Sequence, residues 1–238
     1  MPPIPMLELL ARIRRARPRV QCLTNTVAQT LTANVLLAIG AEVSMAQHPD
    51  EVAAMSAGAD ALLINLGTLD SGRQAALESL LRSDLRPKGP VVLDPVFVQL
   101  SPMRMALAKR LLALPGVILK GNATELAAMA GLIAPDVIRI TTGKIDHVAG
   151  LDRTAEITAG HPLMARTTAT GCALGAVVAA FASVSENRFD AVVAALTCFG
   201  LAGEEAARRS SGPGLFPAHL VDALAALSDR SIEEEPNA

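Results

Sequence analysis

The chain has 238 residues, 51% of them apolar but only 2% aromatic (five Phe, no Tyr or Trp), with 21 basic and 23 acidic side chains for a formal net charge of -2. That length suits a single domain, 1–238, with a sizeable core, and the balanced charge argues against a long-range field for nucleic acid or an acidic membrane. Mean hydropathy is +0.38, yet no apolar stretch reaches the roughly 20 residues of a membrane span; with three cysteines and neither a disulfide framework nor a metal cluster, the expectation is a cytoplasmic protein.

In chain order, 6–16 reads as a short basic amphipathic helix ended by Pro18, and "RVQCLTN" as a strand breaking at Asn25. Residues 26–39 carry Val27, Leu31, Val35 and Ala38 at helical spacing, stopped by Gly40. "AEVSMA" is the next strand, and Pro49 starts a helix with Asp50 and Glu51 in its first turn. Strands at 61–65, 90–94, 116–120 and 137–141 then alternate with helices at 70–86, 101–113 and 122–130. Two short antiparallel strands flank the turn "GLDR", helices follow at about 172–185, 189–209 and 216–228, and the tail 230–238 reads as frayed. Uncharged strands of four or five residues between helices mean a mainly parallel α/β sheet covered by helices on both faces.

Such sheets bind ligands beyond the carboxyl ends of their strands. Ligand-capable or turn-forming residues gather at six strand ends: Asn25, Met45, the Asn65–Thr68 stretch, Asp94, Lys120 to Asn122, and Thr141 to Gly143. Asp94 suits a divalent cation or a turn cap. Asn122 and Glu125 have the spacing of a capping box, and Glu125 would equally serve Mg²⁺ or its water. Lys120 either approaches a phosphate or extends away from the strand end. In "TTATGC", Gly171 with the following N–H groups makes an anion site at a helix start, unless Thr170 merely caps the helix. Cys172 is a thiol favoured as thiolate by that helix end, or a small core residue. His161 is a turn residue or part of a site wall. Neither a G-x-x-x-x-G-K-[ST] loop nor a G-x-G-x-x-G turn after the first strand occurs, so a phosphate would be held by helix start, lysine and metal.

The stretches "CLTNTVAQTLTANVLLAIGAEVSMAQHPDEV", "ADALLINLGTL", "VVLDPV", "KGNATELAAMAG", "TTGKIDHV" and "GHPLMARTTATGCALGAVVAAF" resemble the hydroxyethylthiazole kinase family of the ribokinase-like superfamily, from about Leu10 to Leu220. The resemblance implies a ribokinase-like fold, transfer of the γ-phosphoryl group of MgATP to 4-methyl-5-(2-hydroxyethyl)thiazole in thiamin salvage, and a trimer with sites between subunits. It implies that Asn25, Met45 and Gly67 line the thiazole pocket and that Asp94 and Glu125 lie near Mg²⁺. It implies too that Lys120 and Thr142 reach the nucleotide phosphates, and that Gly171 and Cys172 end the anion hole, with Cys172 beside the attacking alcohol.

The departures from the family pattern matter as well. Ala169 stands where the motif has glycine, which is harmless unless that backbone needs positive φ. Lys120 replaces an arginine, keeping charge without the rigid fork. Phe97 and Gln99 put bulk where the family has a glycine-rich loop, which raises two alternatives: a ribokinase-like kinase for another small alcohol, or a non-catalytic nucleotide-binding relative. Between Gly131 and Thr141 the chain is too short for a helix plus a parallel crossover. That favours a stretch missing from the sequence over a remodelled crossover.

Overall fold

In the computed structural model, which describes residues 5–83 and 87–233, helix and strand alternate as the spacing requires. The order is α1 (Met6–Ala16), β1 (Arg19–Leu23), α2 (Gln29–Ala38), β2 (Glu42–Ser44), α3 (Val52–Ala57), β3 (Ala61–Asn65), α4 (Ser71–Arg82), β4 (Val91–Asp94), α5 (Pro102–Leu111), β5 (Val117–Asn122) and α6 (Ala123–Met129). Then come β6 (Ile138–Thr142), β7 (Asp146–Gly150), β8 (Arg153–Ile157), α7 (Pro162–Ala165), α8 (Thr170–Ser183), α9 (Arg188–Arg209) and α10 (Phe216–Glu233).

The strands form one sheet in the order β2-β1-β3-β4-β5-β6-β7-β8. β1 to β6 are parallel, and β7 and β8 are added antiparallel, as expected from the turn "GLDR". The chain goes from β1 to one side for β2 and returns to the other for β3. The carboxyl ends of β1 and β3 therefore frame a topological switch point, where such sheets leave a crevice.

β3 and β4 are buried along their whole length, because helices cover both faces. Alternate residues feed two cores: Cys22, Leu63 and Val92 pack with Val177, Phe181 and Phe199 on one side, and Leu62, Ile64 and Leu93 with Leu77, Leu107 and Leu126 on the other. α8 lies across β1, β3 and β4. It approaches so closely that a Cβ on Gly175 would come within 2.9 Å of Leu63 Cδ1. Its fully buried Val177, Val178 and Phe181 each contribute about 1.5–3 kcal/mol of transfer free energy. The helix that carries Gly171 and Cys172 is thus fixed to the centre of the sheet.

Several boundaries differ from the expected ones. α2 begins at Gln29 rather than Thr26, because Asn25 Oδ1 accepts from the Ala28 N–H at 3.0 Å and turns the chain first; Val27 is left outside the helix and 61% exposed. Pro49 lies in a turn, where His48 Nδ1 accepts from the Asp50 N–H, and α3 starts only at Val52. α10 continues to Glu233, into the stretch expected to fray, and 234–238 lie outside the described residues. α4 ends at Arg82; the end of the expected 70–86 helix, 84–86, is likewise outside them. From Met129 to Ile138 the chain is continuous, passing through a 3-10 turn at Ala130–Leu132 straight into β6. No stretch is missing: the crossover is remodelled and short.

Candidate active site

Register brings the first two polar groups together. Asn65 and Asp94 are the last residues of β3 and β4 and stand opposite each other. The fully buried Asn65 donates through Nδ2 to Asp94 Oδ2 at 3.0 Å and to Cys172 Sγ at 3.2 Å. Its Oδ1 accepts from Asn25 Nδ2 at 3.1 Å and from the Gly67 N–H at 2.9 Å. Asn25 Nδ2 also donates to Cys172 Sγ at 3.4 Å. One amide therefore ties Asn25, Gly67, Asp94 and Cys172 into a single network. The sequence places Asn65 at a strand end without a role; its partnership with Asp94 is visible only in the strand register.

Lys120 and Asp94 form an ion pair, Nζ to Oδ2 at 3.0 Å, with both side chains 5% exposed. Burial alone would pull the Lys120 pKa down, but the charge and hydrogen bond of Asp94, helped by Cys172 and Glu125, outweigh it and leave the pKa raised. Lys120 is therefore a fixed cation under the helix start. The capping box at α6 is present: Asn122 Oδ1 accepts from the Glu125 N–H at 3.0 Å and Glu125 Oε2 from the Asn122 N–H at 2.8 Å. Glu125 Oε1 also accepts from the Phe97 N–H at 2.8 Å.

α8 begins without a side-chain cap, two residues before its expected start. Thr170 does not cap it; its hydroxyl donates backwards to the carbonyls of Met164 (2.6 Å) and Thr167 (3.0 Å). The first bond of the helix runs from the Ala173 N–H to the Ala169 carbonyl, so the N–H groups of 170–172 have no partner within the helix, the arrangement that binds anions. Ala169 has φ 71°, so the missing family glycine does fall on left-handed backbone. A Cβ at Gly171 would project to 3.8 Å from Lys120 Nζ, into the space between helix start and lysine. The Cys172 thiol pKa is raised by burial and then by Asp94, against the opposing effects of Lys120, Asn25 and Asn65. These effects favour the thiol, against the thiolate that a helix start alone would favour. Cys22 and Cys198 lie in the core, the latter with its pKa pushed up to about 12 by burial.

Asp94, Lys120, Glu125, Thr142, Gly171 and Cys172 line a cavity of about 770 Å³, with Leu196 and Phe199 on its apolar side; Asn25, Asn65 and Gly67 are buried behind Cys172 and Val96 and do not line it. His161 is in its wall as well as capping α7, its Nδ1 accepting from the Leu163 N–H at 3.2 Å. The Thr142 hydroxyl donates to the Gly121 carbonyl at 3.3 Å. Phe97 is 56% exposed and does not line the cavity; Val96 does. Met45 is half-buried against the core beyond β2, and no described contact joins it to the Cys172 network. A larger hollow of about 1180 Å³, with Arg12, Asp60, Lys88 and Arg188 in its wall, opens at the amino ends of the strands, away from these groups.

Among the described residues, no cluster of three or more His, Cys, Asp or Glu side chains could cage a metal. Two carboxylates in one cavity nevertheless fit Mg²⁺, which is usually held by one or two carboxylates plus waters and substrate phosphates. Among the described residues, no helix is long and apolar enough to cross a membrane.

The sequence profile of the hydroxyethylthiazole kinase family matches residues 10–135 and 133–230. A probable hydroxyethylthiazole kinase of Agrobacterium fabrum is 40% identical over 94% of this chain and 91% of its own length. A hydroxyethylthiazole kinase of Klebsiella pneumoniae is 39% identical over 93% and 95%. The solved structure of the hydroxyethylthiazole kinase protein from Pyrococcus horikoshii superposes with a TM-score of 0.84 at 33% identity, covering 98% of this chain and 97% of that one. An ADP/ATP-dependent NAD(P)H-hydrate dehydratase of Bacillus subtilis, at 15% identity and TM-score 0.61, shares the fold alone; it covers 97% of this chain and 100% of its own.

Proposed function

This chain belongs to the hydroxyethylthiazole kinase family and is an ATP-dependent small-molecule kinase with a ribokinase-like fold, and we propose that it phosphorylates the hydroxyl of 4-methyl-5-(2-hydroxyethyl)thiazole, in thiamin salvage, by in-line attack over the start of α8. The observation that carries this reading is the conjunction at α8. An uncapped helix start with Gly171 stands over the cation of Lys120, and Cys172 is held there by the amides of Asn25 and Asn65.

In this mechanism the alcohol lies in the cavity beside Cys172, on the side where Asn25 and Gly67 back the thiol and Val96. Its oxygen forms the new bond to the γ-phosphorus while the bond to ADP breaks on the opposite side, and the hydroxyl proton passes to an oxygen of the transferred phosphoryl group and from there to solvent. The N–H groups at 171 and 172 and Lys120 face the transferred oxygens, so charge that develops there meets preorganised donors. Thr142 orients a neighbouring phosphate. A neutral thiol is a weak base, so Cys172 chiefly positions the alcohol, and placement with electrostatics supplies most of the acceleration. Asp94 and Glu125 would hold Mg²⁺, directly or through its waters, and the ion would supply further positive charge to the phosphate oxygens.

A cytoplasmic homotrimer with sites between subunits completes the proposal. Exposed Val27 next to Asn25, and half-buried Met45 beyond the edge strand β2, are the surfaces such a contact would cover. The two alternatives rested on bulk at Phe97 and Gln99, and neither side chain lines the cavity, which supports the thiazole reading over them. The test is ADP release with Mg²⁺, with and without the thiazole alcohol, in the protein and in Cys172→Ala. Thiazole-dependent release that falls sharply in the variant supports the reading; ATP binding without thiazole-dependent turnover sinks it.

A further inference from the structure

The loop between β4 and α5 has features that phosphoryl transfer does not use. Val96 and Phe97 stand at φ 22° and 55°, where a β-branched or bulky residue is an outlier. Such backbone persists only when its surroundings over-determine it. Here both ends of one peptide unit are held. The Val96 carbonyl accepts from Arg104 Nη1 at 2.6 Å, and the Phe97 N–H donates to Glu125 Oε1 at 2.8 Å. Turning that peptide over would lose both bonds.

Local stability does not explain Arg104. It lies in the first turn of α5, three residues after the cap Ser101, whose side chain accepts from the Arg104 N–H. A cation in a first turn opposes the helix dipole. Arg104 also lies close enough to the buried Arg73 guanidinium for their charges to repel. What Arg104 does gain is the Val96 carbonyl. Val96 in turn lines the cavity, with Cγ1 3.4 Å from where a Gly67 Cβ would stand. Gly67 borders Asn25 and Asn65.

We propose that Arg104 is a positioning residue for the acceptor alcohol: by fixing the Val96–Phe97 peptide it sets the Val96 side chain as the part of the cavity wall that lies over Gly67. The identity of the alcohol rests on the kinase reading; the control of the loop does not.

The experiment compares Arg104→Ala, Arg104→Lys and Arg104→Ala/Phe97→Gly with the parent protein. It measures amide hydrogen exchange of 96–101 without ligand, and separate KM values for the thiazole alcohol and ATP. Losing one charge-assisted hydrogen bond should speed exchange in the loop by about tenfold or more, while β3 and α8 stay protected. The alcohol KM should rise about five- to twentyfold and the ATP KM by less than about twofold. Lysine should recover part of the loss, and glycine at 97, at ease at positive φ, should recover part of it without the arginine. Should the alanine variant fail to fold, Arg104→Lys and Arg104→Gln carry the same comparison. Unchanged exchange, or both KM values rising together, overturns the proposal. If the parent protein does not turn over the thiazole, the kinase reading fails by itself, and exchange in the loop still decides this one.

Discussion

Ala169→Gly is a test in which two ordinary expectations have opposite signs. Ala169 is the N-cap of α8, has φ 71° and makes no side-chain cap bond. An L-residue in the left-handed region costs about 1–2 kcal/mol, and glycine escapes that while losing about 0.5–1 kcal/mol of extra chain entropy on folding. Glycine is also the better N-cap of the two. The net expectation is stabilisation by about 0.5–1 kcal/mol, which at this chain length is a rise of about 1–4 °C in Tm. The control is Ala75→Gly, on the exposed face of α4, where the same substitution should cost about 1 kcal/mol. Both are measured by urea unfolding at one protein concentration, with m compared to exclude a change in the unfolded state. A midpoint that falls in Ala169→Gly as it falls in Ala75→Gly would refute the left-handed start of α8, and with it the free N–H cradle.

The remaining expectations concern the network. Asn65→Ala strands up to four polar partners, so stability should fall by about 1–3 kcal/mol and kcat/KM for the alcohol by at least about tenfold; Asn65→Asp sets a second carboxylate against Asp94 and should abolish turnover. Lys120→Met leaves Asp94 buried without its cation and should lower unfolding stability by about 3–5 kcal/mol, an effect that would be missing if the pair were solvated. With its pKa raised, Cys172 should react with iodoacetamide at pH 7.5 more slowly than a free thiol, and its rate should climb about tenfold per pH unit to beyond pH 9; a plateau near pH 7 would show a thiolate. Cys172→Ser keeps a group that hydrogen-bonds both amides and should retain more activity than Cys172→Ala, in a thiazole-dependent ADP assay.

Most of the fold was legible because the signals are local. Runs such as "ALLIN" and "VVLD" have a length and composition that suit only buried parallel strands, and the six strand ends mark the ligand side without any contact being known. The boundaries at Thr26 and Pro49 were misplaced because side chains decide them. Asn25 caps a turn through the Ala28 N–H, and His48 does the same for Asp50, with nothing in periodicity to reveal either. The choice left open at Thr170 turns on the same kind of contact: a threonine before a helix can cap it, but tertiary packing gives this hydroxyl two carbonyls to donate to. The central part of Asn65 needed register, which pairs it with Asp94 and is not readable from either strand alone.

The short crossover shows why the site survives a local departure. The family profile is matched in two pieces that meet at 133–135, where the chain passes from the 3-10 turn into β6. That passage lies at the amino end of the strands, since α6 starts beside the carboxyl end of β5 and carries the chain back down. Leu132 is 36% exposed there, whereas Val137 and Ile138 stay buried, so the exposure falls before the strand and leaves the sheet itself covered. At the other end the β5–β6 ladder continues in register through Lys120↔Ile140 and Gly121↔Thr141 to Asn122↔Thr142. Lys120, the capping box and Thr142 therefore keep their relative positions whatever the length of the connection below them. In a sheet of this kind the strand ladder, not the loop count, transmits geometry to the ligand side. A chain can lose covering structure at one end while holding its carboxylates and helix start in place at the other.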